Sequence, residues 1–563
     1  MVSAITQKEI HTLRISERMD FLIGEEVFDI LADDRFKQGW DTLYHNCPWA
    51  TAFQSRGFVC AWYRVFRDSH LPLVVRAYEG DRLTGLLTMA IPYPGNSRSN
   101  LENGSVQVMG AGEFEAEYHC WLAGPENGEK FITAALRQIL SRLPKARIQF
   151  RFIPAGAPLA WLRQQPEWHK KYVLQPYHRP LLNLKAPGVE HTIKLRHQYK
   201  TKYNRLQRLG EVQFHKITTE EAFKAALQEL SVQYDFRLGA LYNKNPFRNK
   251  PLKFELMVEL FRQGMLHVTV LKLDEHYLAS LVAVADRGWV HLQGLNSHSP
   301  FFAKYSPGML HFLSLGNYLH REGKAVFDLT PGDDSYKERF ANVHDQVHTL
   351  VISHNPAFLL KKKLKKIFHT WLLEKGKRPM SVELALQKKK YQLKHTLQAG
   401  LKNMARQQLQ RLKPPKPEAL FLKTGPSATP VPAVAVKQDS LSDLLLYQAT
   451  KGNLSRWEFT EKAMRLYENG AHAYTWTAHQ KLLACAWVGG ELPDGEAEQA
   501  IAVHTIYVHP EAKAELAAFL AAVADAVLQE DPDKKLIALC PSARATITHA
   551  LHKTGFTALT QNL

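Results

Sequence analysis

The sequence predicts a mixed α/β (α+β) protein of three units whose sheets are mostly antiparallel. Three observations carry this. Strand-like apolar runs recur as hairpin pairs, segments of helical periodicity separate them, and a basic, proline-rich stretch divides the chain before its last third. At 563 residues the chain exceeds a single core, given roughly 100–200 residues per domain.

After a charged leader, residues 1–45, helical spacing of apolar residues over 40–66 predicts a helix starting at the polar turn Phe53-Gln54-Ser55. Runs 73–78 and 83–91, joined by Glu-Gly-Asp-Arg, predict a hairpin. Residues 107–109 lead into Gly110-Ala111-Gly112, 131–143 have helical spacing, and 148–152 alternate as a strand, completing a first unit at 46–185. A basic helix over 192–209 opens the second unit, 186–355. Helices near 219–239 and 253–264, strands 265–273, 277–285 and 289–295, a helix 308–322 entered from Tyr305-Ser306-Pro307, and the strand ending Phe327-Asp328 follow. Residues 356–435 read as basic helix and proline-rich linker. The third unit, 436–563, has strand-like runs at 473–477, 482–488 and 500–508, an alanine-rich helix over 512–529, and a closing strand and helix.

Several classes are excluded or disfavoured. Cys47, Cys60, Cys120, Cys485 and Cys540 are odd in number and contain no Cys-x-x-Cys pair, so neither a disulfide framework nor a metal site is expected. The first twenty residues carry charges where a secretory signal is apolar, and no run of about 18 apolar residues exists. A cytoplasmic location is expected, with peripheral contact at the inner face of the membrane a possible addition. The formal charge of +18 is concentrated: residues 361–416 hold 17 Lys and Arg against Glu374 and Glu383.

The chemistry concentrates in residues 327–342, where an apolar strand ending in Asp328 runs through Pro331-Gly332-Asp333-Asp334 into Ser335-Tyr336-Lys337. Asp333 or Asp334 suits the cap of a short helix, and acid, phenol and ammonium groups converge where open sheets bind ligands. The same residues also read as a turn with two caps and one ion pair. Ser306-Pro307-Gly308-Met309 opens a helix, whose amides and dipole attract anions, or it is a simple proline start.

These patterns, taken in order, resemble the GNAT acyltransferase fold. Phe53-Gln54-Ser55, Gly239, the stretch Gly264–Leu273, the strand Tyr277–Ala285, Tyr305-Ser306-Pro307-Gly308 and Phe327-Asp328 with Gly332-Asp333 and Tyr336-Lys337 look most like the CelD-like acetyltransferases associated with bacterial cellulose and exopolysaccharide synthesis, relatives of the FemABX aminoacyltransferases. The resemblance spans about residues 46–345 and implies tandem GNAT-like units. It implies direct acyl transfer, without a metal, from acetyl-CoA or another acyl-CoA to an amine or hydroxyl of an envelope or exopolysaccharide precursor. It further implies that Asp328, Asp333, Tyr336 and Lys337 serve catalysis, that Ser306, Pro307, Gly308 and Met309 hold the donor, and that Gln54, His119 and Arg237 meet substrate. His311 is a further candidate. The third unit is similar to one GNAT domain through Ile506-Tyr507-Val508-His509-Pro510 and Gly555-Phe556, but residues 511–515 lack the glycines of a donor loop and Leu551 stands where relatives have tyrosine.

Alternatives stay open: aminoacyl transfer from tRNA bound by the basic segments, or a non-catalytic scaffold of a polysaccharide synthase. Leu360, Leu364, Ile367, Phe368, Trp371 and Leu372 share a helical face with lysines on the remainder, which suits either an interfacial helix or one packed on a domain.

Overall fold

The computed structural model describes residues 17–92, 104–194, 196–332, 334–398, 418–423, 434–450, 453–489, 500–541 and 545–559. Asp333 and the proline-rich residues 413–417 and 426–432 lie outside them.

The first half contributes β1 (Glu17–Ile23), β2 (His70–Glu79), β3 (Arg82–Pro92), β4 (Gln107–Gly110), β5 (Leu122–Ala123), β6 (Arg147–Ile153) and β7 (Tyr172–Asn183). The second contributes β8 (Val212–Lys216), β9 (Leu266–Leu273), β10 (His276–Asp286), β11 (Trp289–His298), β12 (Val326–Asp328) and β13 (Val343–Ser353). They form one sheet in the order β1-β2-β3-β4-β6-β13-β7-β12-β11-β10-β9-β8, with β5 on β3. Both halves build inward the same way: antiparallel strands, then one parallel pair, β4 with β6 and β11 with β12. The helices Gly128–Arg142 and Pro307–Arg321 make those two crossovers.

The centre of the sheet is exchanged. β7 follows β6 in sequence but pairs with β12, and β13 follows β12 but pairs with β6; the two also pair with each other. The region read as a charged leader contains β1 and the helices Glu25–Ala32 and Asp34–Asn46, because Val27, Phe36, Trp40 and Leu43 supply a buried face.

β11 carries the distortion that matters most. Its register with β10 jumps from Ala283↔Gly294 to Val284↔His291, so Leu292 and Gln293 have no partner on β10. Gly294 sits in the bulge at φ 138°, where an added Cβ would lie 2.0 Å from the Val282 carbonyl oxygen. Gly294→Ala is expected to cost about 1–3 kcal/mol in backbone strain, read as a lower urea midpoint; an unchanged midpoint would contradict this account of the bulge.

The third unit has a sheet of β14 (Glu418–Lys423), β15 (Lys437–Gln438), β16 (His472–Ala478), β17 (Lys481–Val488), β18 (Ala500–Val508), β19 (Lys535–Pro541) and β20 (Phe556–Ala558), ordered β15-β16-β17-β18-β19-β14-β20. β14 comes from the stretch read as linker. The unit does not hang free, because Phe236 and Ala240 of the helix Glu220–Tyr242 share a buried cluster with Tyr467 and Trp487. Trp457 Nε1 donates to the Ala240 carbonyl at 3.0 Å. Among the described residues no helix is long and apolar enough to cross a membrane.

Candidate functional site

The parallel pairing of β11 with β12 lasts three residues, ending at His291↔Asp328. Beyond it β11 runs on to His298 beside β10 alone, so the sheet splits open at Asp328.

Asp328 is not at the mouth of this split but at its closed end, fully buried. His291 Nδ1 donates to Asp328 Oδ2 at 2.8 Å, the Thr330 amide donates to Oδ1 at 2.8 Å, and an Arg179 guanidinium nitrogen lies 3.6 Å away. Arg179 comes from β7 and is also bidentate to Asp345 of β13. Burial works to raise the Asp328 pKa, but the His291 hydrogen bond and the Arg179 charge outweigh it and hold the carboxyl below its ordinary value. Around it pack Phe53 and Tyr118 of the first half, 5.3 and 5.7 Å from the His291 ring. The Tyr118 phenol is pushed well above its ordinary range by burial and by the Asp328 charge. Asp328 is therefore an ionised anchor joining the two halves.

Lys337 does not pair with Asp328. Its ammonium donates to Thr330 O at 3.1 Å and Oγ1 at 3.2 Å and meets Asp334 at 3.5 Å. Burial lowers its pKa against the pull of Asp334. Asp334 occupies the cap position of the helix Ser335–Phe340, yet its side chain caps nothing; it pairs with Arg378 at 2.5 Å. The turn is clamped from both sides, with Thr330 at φ 62°.

The open part of the split lies between β11's last residues and the start of the helix Pro307–Arg321. Ser306 precedes that helix in the left-handed region, φ 55°, and its carbonyl takes the Met309 and Leu310 amides. The Ser306 side chain does not cap the helix; its hydroxyl accepts from Lys202 Nζ at 2.6 Å. Pro307 brings no amide, so the first turn offers the Gly308 amide, the dipole and the Lys202 charge. Gly308 faces His298, the site of an added Cβ being 3.4 Å from its Cδ2.

His298 was not singled out from the sequence. Its Nδ1 is buried without a hydrogen-bond partner, as are the Ser297 and Ser299 hydroxyls. Burial, then the Arg237 charge, lowers its pKa to about 4, so the ring is neutral at physiological pH. Arg237 donates to the Asn296 carbonyl at 2.9 Å and also acts on Tyr336, whose pKa burial and Asp334 raise to about 12. Tyr336 packs edge-on against Phe312. Arg237, His298, Tyr336 and the 306–309 turn are thus gathered on the open side.

Gln54 and His119 stand elsewhere. Gln54 donates to the Tyr118 carbonyl at 2.7 Å and accepts from Thr51, fixing the 51–55 turn. His119 Nε2 donates to Glu113 O and its Nδ1 accepts the Arg151 amide. Burial and Arg151 lower its pKa to about 3. His311 is likewise buried, sharing a hydrogen bond with Thr269 at 3.1 Å. In the third unit Leu551 is core, and Glu511 pairs with Lys481 at 3.0 Å where a donor loop would run.

Residues 194–338 match the family model described as an acetyltransferase (GNAT) domain. That segment contains both sides of the split, from the basic helix to Lys337. A search of functionally curated proteins returns no match. Among solved structures the chain is similar to FemX, at 9% identity and TM-score 0.40 over 57% of this chain and 98% of that one. It is also similar to the C-terminal (DUF2156) domain of a putative lysylphosphatidylglycerol synthetase from Agrobacterium fabrum, at 12% identity and TM-score 0.37 over 58% and 94%. A third is a tandem GNAT protein from the clavulanic acid biosynthesis pathway, at 12% identity and TM-score 0.36 over 59% and 98%. The chain carries a GNAT acetyltransferase domain in its second unit and is an acyltransferase.

Proposed function

We propose that the protein is a CoA-dependent N- or O-acyltransferase of the CelD-like kind, moving an acyl group directly from acetyl-CoA or a longer acyl-CoA to an amine or hydroxyl of an envelope or exopolysaccharide precursor. The observation that carries this reading is the divergence of β11 from β12 beside a helix start on which Lys202 is seated.

The residues there fit such a donor. A cation and a helix start suit its diphosphate, and the unpartnered Ser297, His298 and Ser299 leave polar atoms for a ligand. When bound, the donor supplies an electrophilic thioester carbonyl. Lys202 and the Gly308 turn hold its anionic end. The bulge frees the Leu292 and Gln293 backbone from the β10 ladder, giving amides to meet charge developing on the carbonyl oxygen. Neutral His298 takes the acceptor's proton, and the Tyr336 hydroxyl, protonated up to about pH 12, returns one to the sulfur. Asp328 and Lys337 position the two sides of the split, and Arg237 orients the anionic reactant.

Calorimetry with acetyl-CoA, comparing wild type with Gly308→Trp, tests the donor site. The indole must fill the split or displace His298, so binding is expected to fall by at least about tenfold, about 1.4 kcal/mol. Equal binding by the variant would reject this turn as the donor site.

One observation favours a second reading, aminoacyl transfer from tRNA. Lys194, Arg196, Lys200, Arg205 and Arg208 are exposed around Lys202, a surface suited to a polyphosphate-borne donor. Salt-sensitive tRNA binding without acyl-CoA binding would decide for it.

A further inference from the structure

The helix Pro356–Glu374 has two apolar faces, and only one of them is used. Leu372 is buried, and Leu359 packs on Val173 and Val351. His369 lies there too, hydrogen-bonded to Gln175 at 3.1 Å and to Glu383 at 2.7 Å. Lys366 reaches back to the Leu174 carbonyl at 2.8 Å. These contacts hold the helix on β7 and β13.

The opposite face has no partner among the described residues. Leu360, Leu364, Ile367, Phe368 and Trp371 recur at helical spacing and are 57, 58, 64, 39 and 48% exposed. Phe368 and Trp371 stack at 6.1 Å, forming an aromatic ridge towards one end. The sequence placed Leu372 with this stripe; unlike the others it is buried. Lys361 and Lys363 flank the stripe without an ion pair to a described residue, and Lys375 and Lys377 follow in the exposed turn beyond it.

We propose that this stripe is a membrane-docking surface which lays the helix along an anionic lipid bilayer, with Leu364, Ile367 and Trp371 inserted and the flanking lysines on the headgroups. Charge selects that occupant: the 361–416 segment, with an excess of 15 positive charges, would repel a second copy of itself but is attracted to anionic lipid. A helix tightly fixed by its other face presents the stripe already formed, so binding does not also bear the cost of folding it. Just beyond the helix, Arg378 pairs with Asp334 at 2.5 Å. The inference does not depend on which acyl donor is used.

The test is co-sedimentation of the full chain with extruded vesicles of phosphatidylcholine alone or mixed equally with phosphatidylglycerol, at low and high salt. Wild type is expected to pellet with the mixed vesicles at low salt, and weakly with phosphatidylcholine. Ile367→Glu/Trp371→Glu is expected to lower the partition coefficient at least about tenfold. Lys361→Glu/Lys363→Glu is expected to weaken binding and flatten its salt dependence. Both pairs change exposed positions, and an unchanged urea midpoint verifies their folding. Wild type that stays in the supernatant with mixed vesicles, or stripe variants that pellet like wild type, would overturn the proposal. So would a lipid-free dimer in sedimentation velocity that Ile367→Glu/Trp371→Glu abolishes, since the stripe would then belong to a second copy.

Discussion

Asp328→Ala is expected to destabilise the joined first and second units by about 3–5 kcal/mol, the loss found when one member of a buried ion pair is removed. The variant strands the Arg179 guanidinium and His291 beside a cavity and removes the acceptor of the Thr330 amide. Urea denaturation followed by tryptophan fluorescence reads the loss as a lower midpoint, and a midpoint equal to wild type would show that Asp328 is no anchor. The pH dependence has a definite sign. The folded carboxyl is held below its ordinary value, so its contribution is complete above the unfolded pKa of about 3.9 and is lost as pH falls through the lower folded value. The gap between wild type and variant is therefore expected to be flat across neutral pH and to close only in acid.

His298→Ala is expected to lower kcat/KM by about 10²–10⁴, the range for a positioned general base. Its Nδ1 lacks a hydrogen-bond partner, so the stability cost is that of the packing lost with the ring. Thiol release from acetyl-CoA with an amino-sugar acceptor measures the rate, and calorimetry on the same variant separates donor binding from turnover. A variant that turns over like wild type would remove His298 from the reaction and leave the proton to bulk water.

The hairpins of the two units were legible because they are local. β2 with β3 and β9 with β10 are apolar runs joined by short turns, and periodicity with a turn signal suffices to find such pairs. The helix Pro307–Arg321 announced itself by its proline. β7 and β13 did not, because their residues are rich in Gln, His, Arg and Asp and their pairing joins segments far apart in the chain. The Asp328 site was half legible for the same reason. A strand-end acid beside Tyr336 and Lys337 marked the region, but the partner that determines its character, Arg179, arrives on the exchanged β7, and nothing near residue 179 hints at residue 328. Asp328 therefore read as a reactive group when its surroundings make it a fixed charge. His298 was missed in the opposite sense: what marks it, an unpartnered buried nitrogen beside the helix start at Gly308, is a property of the folded chain.

The exchange of β7 and β13 also governs the order in which the molecule can be assembled on the ribosome. β6 must wait with a bare edge until β13 has been synthesised, a delay on the order of ten seconds or more at cellular translation rates. Neither half is a self-sufficient folding unit in that interval, and unpaired edges invite intermolecular pairing. Nascent chains arrested between the two halves would accordingly be clients for chaperones, and a gene split at that boundary would yield two sticky fragments that recover solubility only when made together.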